Sequence, residues 1–157
     1  VKGRFELISN PSNLSVIVDY AHSPDSLQNI LSSVRKLTEK RVILVFGCGG
    51  NRDKTKRPIM GNIGGSTADY CIITSDNPRK EEPLSIVNDI ERGILSTACG
   101  YEKIVDRKKA IFSALNMAQQ GDTVVIAGKG HENYQIIGEK YMYFDDAETV
   151  KEFFNIM

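Results

Sequence analysis

Four short segments of the chain combine glycine with charged or amide side chains, which are the groups that bind and orient small polar ligands. In chain order they are residues 19–24 (DYAHSP), 47–54 (GCGGNRDK), 75–79 (SDNPR) and 128–132 (GKGHE). Each follows a short apolar run without polar alternation, which is typical of a strand covered on both faces of a parallel sheet. Because the carboxyl ends of parallel strands meet at one edge, we expect the four segments to form one binding crevice.

The segment that starts at residue 47 matches neither of the two standard glycine-rich phosphate motifs. A dinucleotide fingerprint requires glycine where Arg52 stands, and a P-loop requires glycine where Asp53 precedes Lys54. The segment instead predicts a positive cluster suited to a carboxylate or a phosphate, formed by Arg52, Lys54, Lys56 and Arg57. A solvated basic turn is an equally good interpretation of this segment alone.

The segment Asp76-Asn77-Pro78-Arg79 places a carboxylate, an amide and a guanidinium beside a rigid proline turn. Such a set could hold an amino acid by both its ammonium and its carboxylate group. The last segment offers backbone donors and Glu132, whose carboxylate could receive an ammonium group. An ordinary turn remains the alternative for each segment taken by itself.

The remaining reactive residue types exclude several kinds of site. The only two histidines, His22 and His131, both lie in these segments, which favours a functional role over a core role. The sequence has no zinc-ligand spacing and no serine nucleophile elbow, so we expect no metal site and no serine catalysis in this chain. The three cysteines form no C-x-x-C pair and are expected to be reduced thiols.

Composition favours one globular domain spanning residues 1–157. The chain has 157 residues, 41% of them hydrophobic, with 20 basic against 20 acidic side chains. Zero net charge gives no overall attraction to nucleic acid or to anionic lipid, and neither is expected as a partner. No apolar run approaches the roughly 18 residues of a membrane span, and the first residues lack the apolar core of a signal peptide. We therefore expect a soluble, cytoplasmic protein.

Apolar periodicity predicts strands that alternate with helices. Strands are expected at 16–18, 42–46, 71–74 and 124–127. Helices are expected after Ser23, from Pro83 to Ile94, after Asp106 and after Asp145 or Asp146. A helix over 56–67 is weakened by its glycines, and Leu37 is expected on the buried face of the first helix. Strands at or near a sheet edge are predicted for segments 4–8, 134–137 and 140–144. Solvated helix starts are predicted for residues 80–82 and 107–109. The pattern predicts an α/β, Rossmann-like, doubly wound and mostly parallel sheet with helices on both faces.

At the polar segments the sequence resembles the C-terminal domain of the Mur ligases, in particular those of the MurE type. The resemblance runs in family order through GRFE (3–6), DYAHSPD (19–25), FGCGGNRDK (46–54), KRP (56–58), SDNPR (75–79), DR (106–107) and GKGHE (128–132). Ligases of this type use ATP to convert the D-Glu carboxylate of a UDP-MurNAc-dipeptide into an acyl phosphate, which the amine of a third amino acid attacks. The resemblance implies peptidoglycan synthesis as the process.

The resemblance also implies a division of labour. The N-terminal and central domains, absent from this chain, would be its partners, and the central domain would hold most of the ATP and Mg²⁺, so that this domain alone would be inactive and carry no catalytic residue. It would bind meso-diaminopimelate through Arg52, Asp76, Asn77, Pro78, Arg79, Gly128 and Glu132. Arg52 and Arg79 would bind carboxylates, and Gly128 and Glu132 would lie near the distal amino group. Arg4 and Asp19 would reach the ATP ribose, and His22 would lie near the nucleotide.

Three alternatives remain open at this point. A lysine-adding MurE resembles the sequence less at Arg79, and folylpolyglutamate synthetase or the MurF type shares the fold but lacks the Asp-Asn-Pro-Arg segment. A free-standing binding module for an amino acid or a nucleotide is the interpretation without enzymatic activity. Asn51 stands where many relatives carry aspartate, which affects detail beside Arg52 and leaves the class unchanged.

Overall fold

Strands and helices alternate along the chain in a computed structural model that describes residues 1–157. The strands are β1 (Glu6–Leu7), β2 (Ser15–Asp19), β3 (Val42–Phe46), β4 (Tyr70–Ile73), β5 (Gly100–Lys103), β6 (Thr123–Ala127), β7 (Tyr134–Ile137) and β8 (Lys140–Tyr143). The helices are α1 (Pro24–Leu37), α2 (Lys56–Thr67), α3 (Pro83–Ile94), α4 (Arg107–Met117) and α5 (Asp146–Phe154). None of these helices is long and apolar enough to cross a membrane. The predicted α/β alternation is confirmed.

Six strands form the central sheet in the order β1-β2-β6-β3-β4-β5. All neighbouring pairs are parallel except β1 with β2. The register aligns the strand ends, since Asp19 lies opposite Ala127 and Phe46 lies opposite Ile73. The segments that leave β2, β3, β4 and β6 therefore begin side by side at one edge of the sheet, as the sequence predicts.

Helices cover both faces of the sheet, so the predicted doubly wound architecture is confirmed. One core cluster joins α1, α2 and α3 to the sheet, for example through Leu31, Met60 and Ile90. The other joins α4 and α5 to the opposite face, through residues such as Ile111 and Val150. Every residue of β3 and β6 is buried, which explains why these strands read as continuous apolar runs.

The first helix begins as predicted, but its last residue is exposed instead of buried. Ser23 caps its first turn by accepting a hydrogen bond from the Ser26 amide, and Pro24 occupies the first helical position. The prediction that Leu37 is buried is wrong, because its side chain is 72% exposed. Thr38 faces the sheet instead, and its hydroxyl donates to Thr123 Oγ1 at 2.8 Å.

The glycines of α2 allow close contact with α3. A Cβ atom added at Gly61 would lie 2.1 Å from the Ile90 carbonyl oxygen, and one at Gly93 would lie 1.8 Å from that of Pro58. Only glycine permits the two backbones to approach this closely. The glycines lower the intrinsic stability of α2, but tertiary packing offsets this loss. The helix predicted over 56–67 therefore forms with the same bounds.

Two expectations about the sheet edges need correction. Strands β7 and β8 pair with each other as an antiparallel hairpin that is not part of the six-stranded sheet, and β7 makes one further bridge, between Ile137 and Arg79. One edge is occupied instead by β5, a strand that the sequence did not predict. Its four residues, GYEK, are partly or fully exposed and contain no apolar run that could reveal a strand.

Arg107, expected in a solvated helix start, is one of the most deeply buried side chains of the protein. Its Nε and Nη2 atoms donate to the two carboxylate oxygens of Asp146, both at 2.8 Å. Nη1 donates to the Ser75 carbonyl at 2.9 Å, and Nη2 also donates to the Ala127 carbonyl at 3.2 Å. Burial alone would lower the pKa of Arg107, but the Asp146 carboxylate raises it above its usual value. The guanidinium thus joins the starts of α4 and α5 to the ends of β4 and β6.

We predict that Arg107→Met destabilises the chain by about 3 to 5 kcal/mol, because it leaves the Asp146 carboxylate buried without a partner. The free energy of unfolding in urea measures the effect. Lys108→Met is the matched control, since Lys108 pairs with Glu152 where both side chains are 48% exposed, and it should change stability by less than about 1 kcal/mol. A loss at Arg107 no larger than that of the control would contradict the assigned role.

Candidate functional site

The four polar segments converge on one cleft of about 350 Å³ at the carboxyl edge of the sheet. Each segment contributes to its lining: Tyr20 and His22 from the first, Gly47, Cys48, Gly49, Arg52 and Asp53 from the second, Asp76 and Arg79 from the third, and Gly128 and Glu132 from the fourth. Helix α2 adds Lys56 and Met60. The structure thereby brings together five of the seven residues predicted to bind the amino acid.

One part of the lining, which we call the arginine side, is formed by Arg52 and Arg79. Arg79 has a φ of 53°, in the left-handed region that non-glycine residues rarely adopt. Its amide donates to the Ile136 carbonyl at 2.9 Å, so β7 fixes this backbone conformation. The guanidinium makes a single hydrogen bond, from Nη1 to the Gly50 carbonyl at 3.0 Å, and keeps its other donors for a ligand.

Arg57 does not belong to the positive rim predicted from its segment. Its side chain is 1% exposed and turns away from the cleft to pair with Glu81 at 2.9 Å and Asp89 at 3.0 Å. It also donates to the Gly49 carbonyl at 3.0 Å, while Glu81 accepts the Asn51 amide at 2.7 Å. Arg57 and Glu81 thus hold the backbone that carries Arg52.

The hydrogen bonds from Arg57 lower the pKa of Glu81 to about 2. The sequence predicts Glu81 at a solvated helix start. Its carboxylate instead accepts hydrogen bonds from the Arg57 guanidinium and from the Asn51 amide. A glutamate with a depressed pKa stabilises the folded state most above its ordinary pKa, and this stabilisation is lost as the pH falls towards the depressed value.

A second part of the lining, which we call the acidic side, is formed by Asp76 and Glu132. The buried ammonium of Lys129 lies between them, 3.3 Å from Asp76 Oδ1 and 3.5 Å from Glu132 Oε1. Gly128 has a φ of +117°, and a Cβ atom there would lie 2.9 Å from Asp76 Oδ2. The glycine therefore lets the Asp76 carboxylate lie directly against the backbone.

Asn77 and Pro78 are the two predicted binding residues that do not line the cleft. The side-chain oxygen of Asn77 accepts from Lys129 Nζ at 2.9 Å and from the Ile136 amide at 3.0 Å. Its carbonyl accepts the Gly50 amide at 2.8 Å. Asn77 thus connects the arginine side to the acidic side, and its contact with a ligand stays a prediction.

Cys48 and Met60 contribute an apolar part of the lining, with their sulfur atoms 3.7 Å apart. Burial and the nearby Asp76 carboxylate together raise the pKa of the Cys48 thiol to about 12. The thiol therefore stays protonated at neutral pH and is a poor nucleophile. This surface suits the aliphatic carbons of a ligand whose charged ends lie elsewhere.

The residues predicted to bind ATP lie around Tyr20. His22 lines the cleft and its ring centroid lies 4.5 Å from that of Tyr20, while the Arg4 guanidinium lies 5.7 Å above the same ring. Each carboxylate oxygen of Asp19 accepts a backbone amide, from Phe5 at 2.7 Å and from Ala21 at 2.8 Å. No group of three or more His, Cys, Asp or Glu side chains is arranged to hold a metal ion. The ATP contacts of these residues stay predictions.

Residues 3–130 match the family model described as the Mur ligase, glutamate ligase domain. The chain belongs to the Mur ligases. A relative from Clostridium acetobutylicum, named UDP-N-acetylmuramoyl-L-alanyl-D-glutamate--2,6-diaminopimelate ligase 2, is 54% identical over 152 residues, which are 97% of this chain and 32% of the relative. The chain thus spans about a third of that relative. The family resemblance predicted from the motifs is confirmed.

Solved structures agree with the Mur ligase assignment. A structure described as a UDP-N-acetylmuramoyl-L-alanyl-D-glutamate--2,6-diaminopimelate ligase superposes with a TM-score of 0.92 at 41% identity, covering 99% of this chain and 32% of that one. A folylpolyglutamate synthase/dihydrofolate synthase, solved with Mn, AMPPNP and L-glutamate bound, gives a TM-score of 0.63 at 19% identity, covering 82% of this chain and 29% of that one. The second likeness establishes a shared fold only.

Three residues at the cleft of this Mur ligase domain are not predicted from the sequence to have a role there. Lys129 lies inside a motif that the sequence identified, yet nothing local shows that its ammonium turns inward to meet Asp76. Tyr20 and Asp53 also line the cleft without having been assigned a role. Their positions next to assigned residues were the only available signal.

We predict that Glu81→Gln reduces the acid sensitivity of the domain. In the wild type, the contribution of the Glu81 carboxylate is complete above about pH 4.5 and is lost as the pH falls towards 2. The variant should be less stable at pH 7 and should lose less stability between pH 4.5 and pH 2, as measured by urea unfolding at each pH. Glu139→Gln, at an 80% exposed side chain, is the control. If stability depends on pH in the same way in the wild type and in Glu81→Gln, the assigned role of the Glu81 carboxylate is wrong.

Proposed function

We propose that this chain is the C-terminal domain, residues 1–157, of an ATP-dependent ligase that adds meso-diaminopimelate to UDP-MurNAc-L-Ala-D-Glu in peptidoglycan synthesis. The observation that carries the proposal is that Arg52 and Arg79 converge with Asp76 and Glu132 on one cleft, in a chain that is 54% identical to a relative named for this reaction. Arg52 and Arg79 lie in one part of that cleft, and Asp76 and Glu132 in another.

The charges of the arginine side and of the acidic side match those of the proposed amino acid. Diaminopimelate carries two carboxylates and two ammonium groups joined by an aliphatic chain. Arginine forks pair with carboxylates in a bidentate manner, so the arginine side would bind the carboxylate of the distal end. The acidic side would bind the distal ammonium, and Cys48 and Met60 would contact the aliphatic carbons. This orientation leaves the other amino group free to attack.

ATP and Mg²⁺ would be shared with the central domain of the full-length protein, which would supply the phosphate chemistry. ATP activates the dipeptide carboxylate as an acyl phosphate, and the amine bound here displaces phosphate from it. In this chain, Arg4, Asp19 and His22 surround Tyr20 at the edge of the cleft and would contact the nucleoside end of ATP. Substrates of this kind imply a cytoplasmic location.

A lysine-adding ligase is the second candidate, and Arg79 argues against it. Lysine has no second carboxylate, so the guanidinium would face an aliphatic or ammonium group without a partner. The backbone of Arg79 is held in a left-handed conformation that costs free energy, which is typical of residues at functional sites. We therefore favour the dicarboxylic amino acid.

The direct test uses the full-length ligase with ATP, UDP-MurNAc-L-Ala-D-Glu and meso-diaminopimelate, with the tripeptide product detected by mass spectrometry. We expect product with diaminopimelate and far less with lysine. The 157-residue chain assayed alone should release no phosphate above background. Efficient ligation of lysine in place of diaminopimelate would sink the proposed specificity.

We predict that Arg79→Ala lowers kcat/KM for diaminopimelate in the full-length enzyme by about 2 to 4 kcal/mol, because a desolvated guanidinium–carboxylate pair is lost. The value for lysine should change far less. Arg92→Ala, at a 67% exposed arginine on α3, is the control and should leave both values unchanged. Equal losses for both substrates would mean that Arg79 only shapes its loop.

We predict that Glu132→Gln raises KM for diaminopimelate but not for ATP, since glutamine keeps the shape of the side chain and removes its charge. The melting temperature of the full-length enzyme should change little, because Glu132 lies at the longest of the Lys129 contacts, 3.5 Å. Steady-state kinetics and thermal unfolding separate the two roles. A large drop in melting temperature with an unaltered KM would assign Glu132 to the scaffold.

A further inference from the structure

Lys129 is a fully buried lysine at the acidic side of the cleft, and its side chain has no exposed surface. Its ammonium donates to Asn77 Oδ1 at 2.9 Å and to Asp76 Oδ1 at 3.3 Å, and it lies 3.5 Å from Glu132 Oε1. It also lies 5.5 Å from the centroid of the Tyr134 ring. An ammonium is buried only when several acceptors replace its water, so this position is a built cation site that the protein itself fills.

The charges around Lys129 do not cancel. Asp76 and Glu132 contribute two carboxylates, and Lys129 is the only cation within 4.0 Å of either. Arg107 lies nearby, but its charge is taken by Asp146 at 2.8 Å. The cluster therefore keeps one uncompensated negative charge beside the cleft. One incoming ammonium group neutralises it, whereas a neutral ligand does not.

Each carboxylate of the cluster also keeps an oxygen away from Lys129. Asp76 Oδ2 lies against Gly128, where a Cβ atom would come within 2.9 Å, and Glu132 Oε2 accepts from the Tyr134 hydroxyl at 3.3 Å. The negative charge of Glu132 raises the pKa of Tyr134. The common cation thus holds the two carboxylates in one place, while Asp76 Oδ2 accepts no hydrogen bond and Glu132 Oε2 accepts one, from Tyr134.

We propose that Lys129 is a positioning residue that holds Asp76 and Glu132 together through its ammonium and limits the acidic side to one free negative charge, so that this side recognises a single ammonium group. The inference rests on the proposed function for the identity of the substrate. The two carboxylates come from loops that follow different strands, and without the shared cation they repel each other and separate. The recognition of the ammonium then fails although both carboxylates remain.

Lys129→Met tests this role in the full-length ligase, because methionine fills much of the same apolar volume without the charge. We expect KM for diaminopimelate to rise at least tenfold while KM for ATP stays within twofold of the wild type. Lys36→Met, at an exposed lysine on α1, is the matched control and should leave both values unchanged. An unchanged or lowered KM for diaminopimelate in Lys129→Met overturns the proposal.

Chemical rescue separates the charge of Lys129 from its packing. Lys129→Ala lacks the three carbons and the nitrogen of a propylammonium ion, so propylammonium should lower the raised KM for diaminopimelate at least threefold. The neutral analogue 1-propanol should have no such effect. Equal effects of the two additives, or none from either, would show that packing and not charge is what the lysine supplies.

A stability measurement judges the proposal without any substrate. Glu132→Gln should change the melting temperature little in the wild type but raise it in the Lys129→Met background, because it removes one of two carboxylates that repel each other. A lowered or unchanged melting temperature in that background overturns the proposal. Should Lys129→Met fail to fold, the double variant should restore folding, and its failure would count equally against the role. Absence of diaminopimelate ligation by the wild type would refute the proposed function alone, since this measurement would still decide the role of Lys129.

Discussion

The buried ion pair between Arg107 and Asp146 is the constraint on which the geometry of the cleft depends. A guanidinium excluded from water needs protein acceptors in place of water, and Arg107 makes four hydrogen bonds, two to the oxygens of Asp146 and two to the carbonyls of Ser75 and Ala127. Ser75 directly precedes Asp76, and Ala127 directly precedes Gly128. The pair therefore fixes the points where the two loops of the acidic side leave the sheet, from the face opposite α1, α2 and α3.

The arginine side follows the same physical pattern with a different cation. Arg57 is buried behind the loop that carries Arg52, and it neutralises Glu81 while donating to the Gly49 carbonyl. Lys129 does the same between Asp76 and Glu132. The arginine side and the acidic side thus each have a buried cation that contacts the backbone or the carboxylates of that side. The stability of such buried charges depends on geometry, because a charge that loses its partner is left without either a partner or water. They therefore disfavour alternative loop conformations.

A feature of this arrangement could be predicted when it depends on residues close in sequence, and could not when it depends on residues far apart in sequence. The strands at 42–46 and 124–127 were predictable because burial on both faces leaves a local apolar run, and the meeting of their loops follows from parallel pairing. Arg107 was misjudged because its partner Asp146 lies 39 residues away and nothing local distinguishes it from the exposed Lys108. The hairpin of β7 and β8 was placed at an edge because its alternation shows a strand but not which strand it pairs with.

The groups that face the cleft differ from those behind it in how many of their hydrogen-bonding positions are occupied. Arg107 makes four hydrogen bonds and none reaches a ligand-accessible surface, whereas Arg79 makes one and keeps its remaining donors. The backbone of Arg79 is nevertheless fixed on both sides, by Ile136 and by Gly138 at 2.7 Å. A side chain with free donors on an immobilised backbone is already oriented before a ligand arrives, so binding loses less conformational entropy than it would in a mobile loop. The folding free energy of the domain thus offsets the cost of the left-handed backbone at Arg79 and of the buried charges. The free donors of Arg79 remain available to bind a ligand.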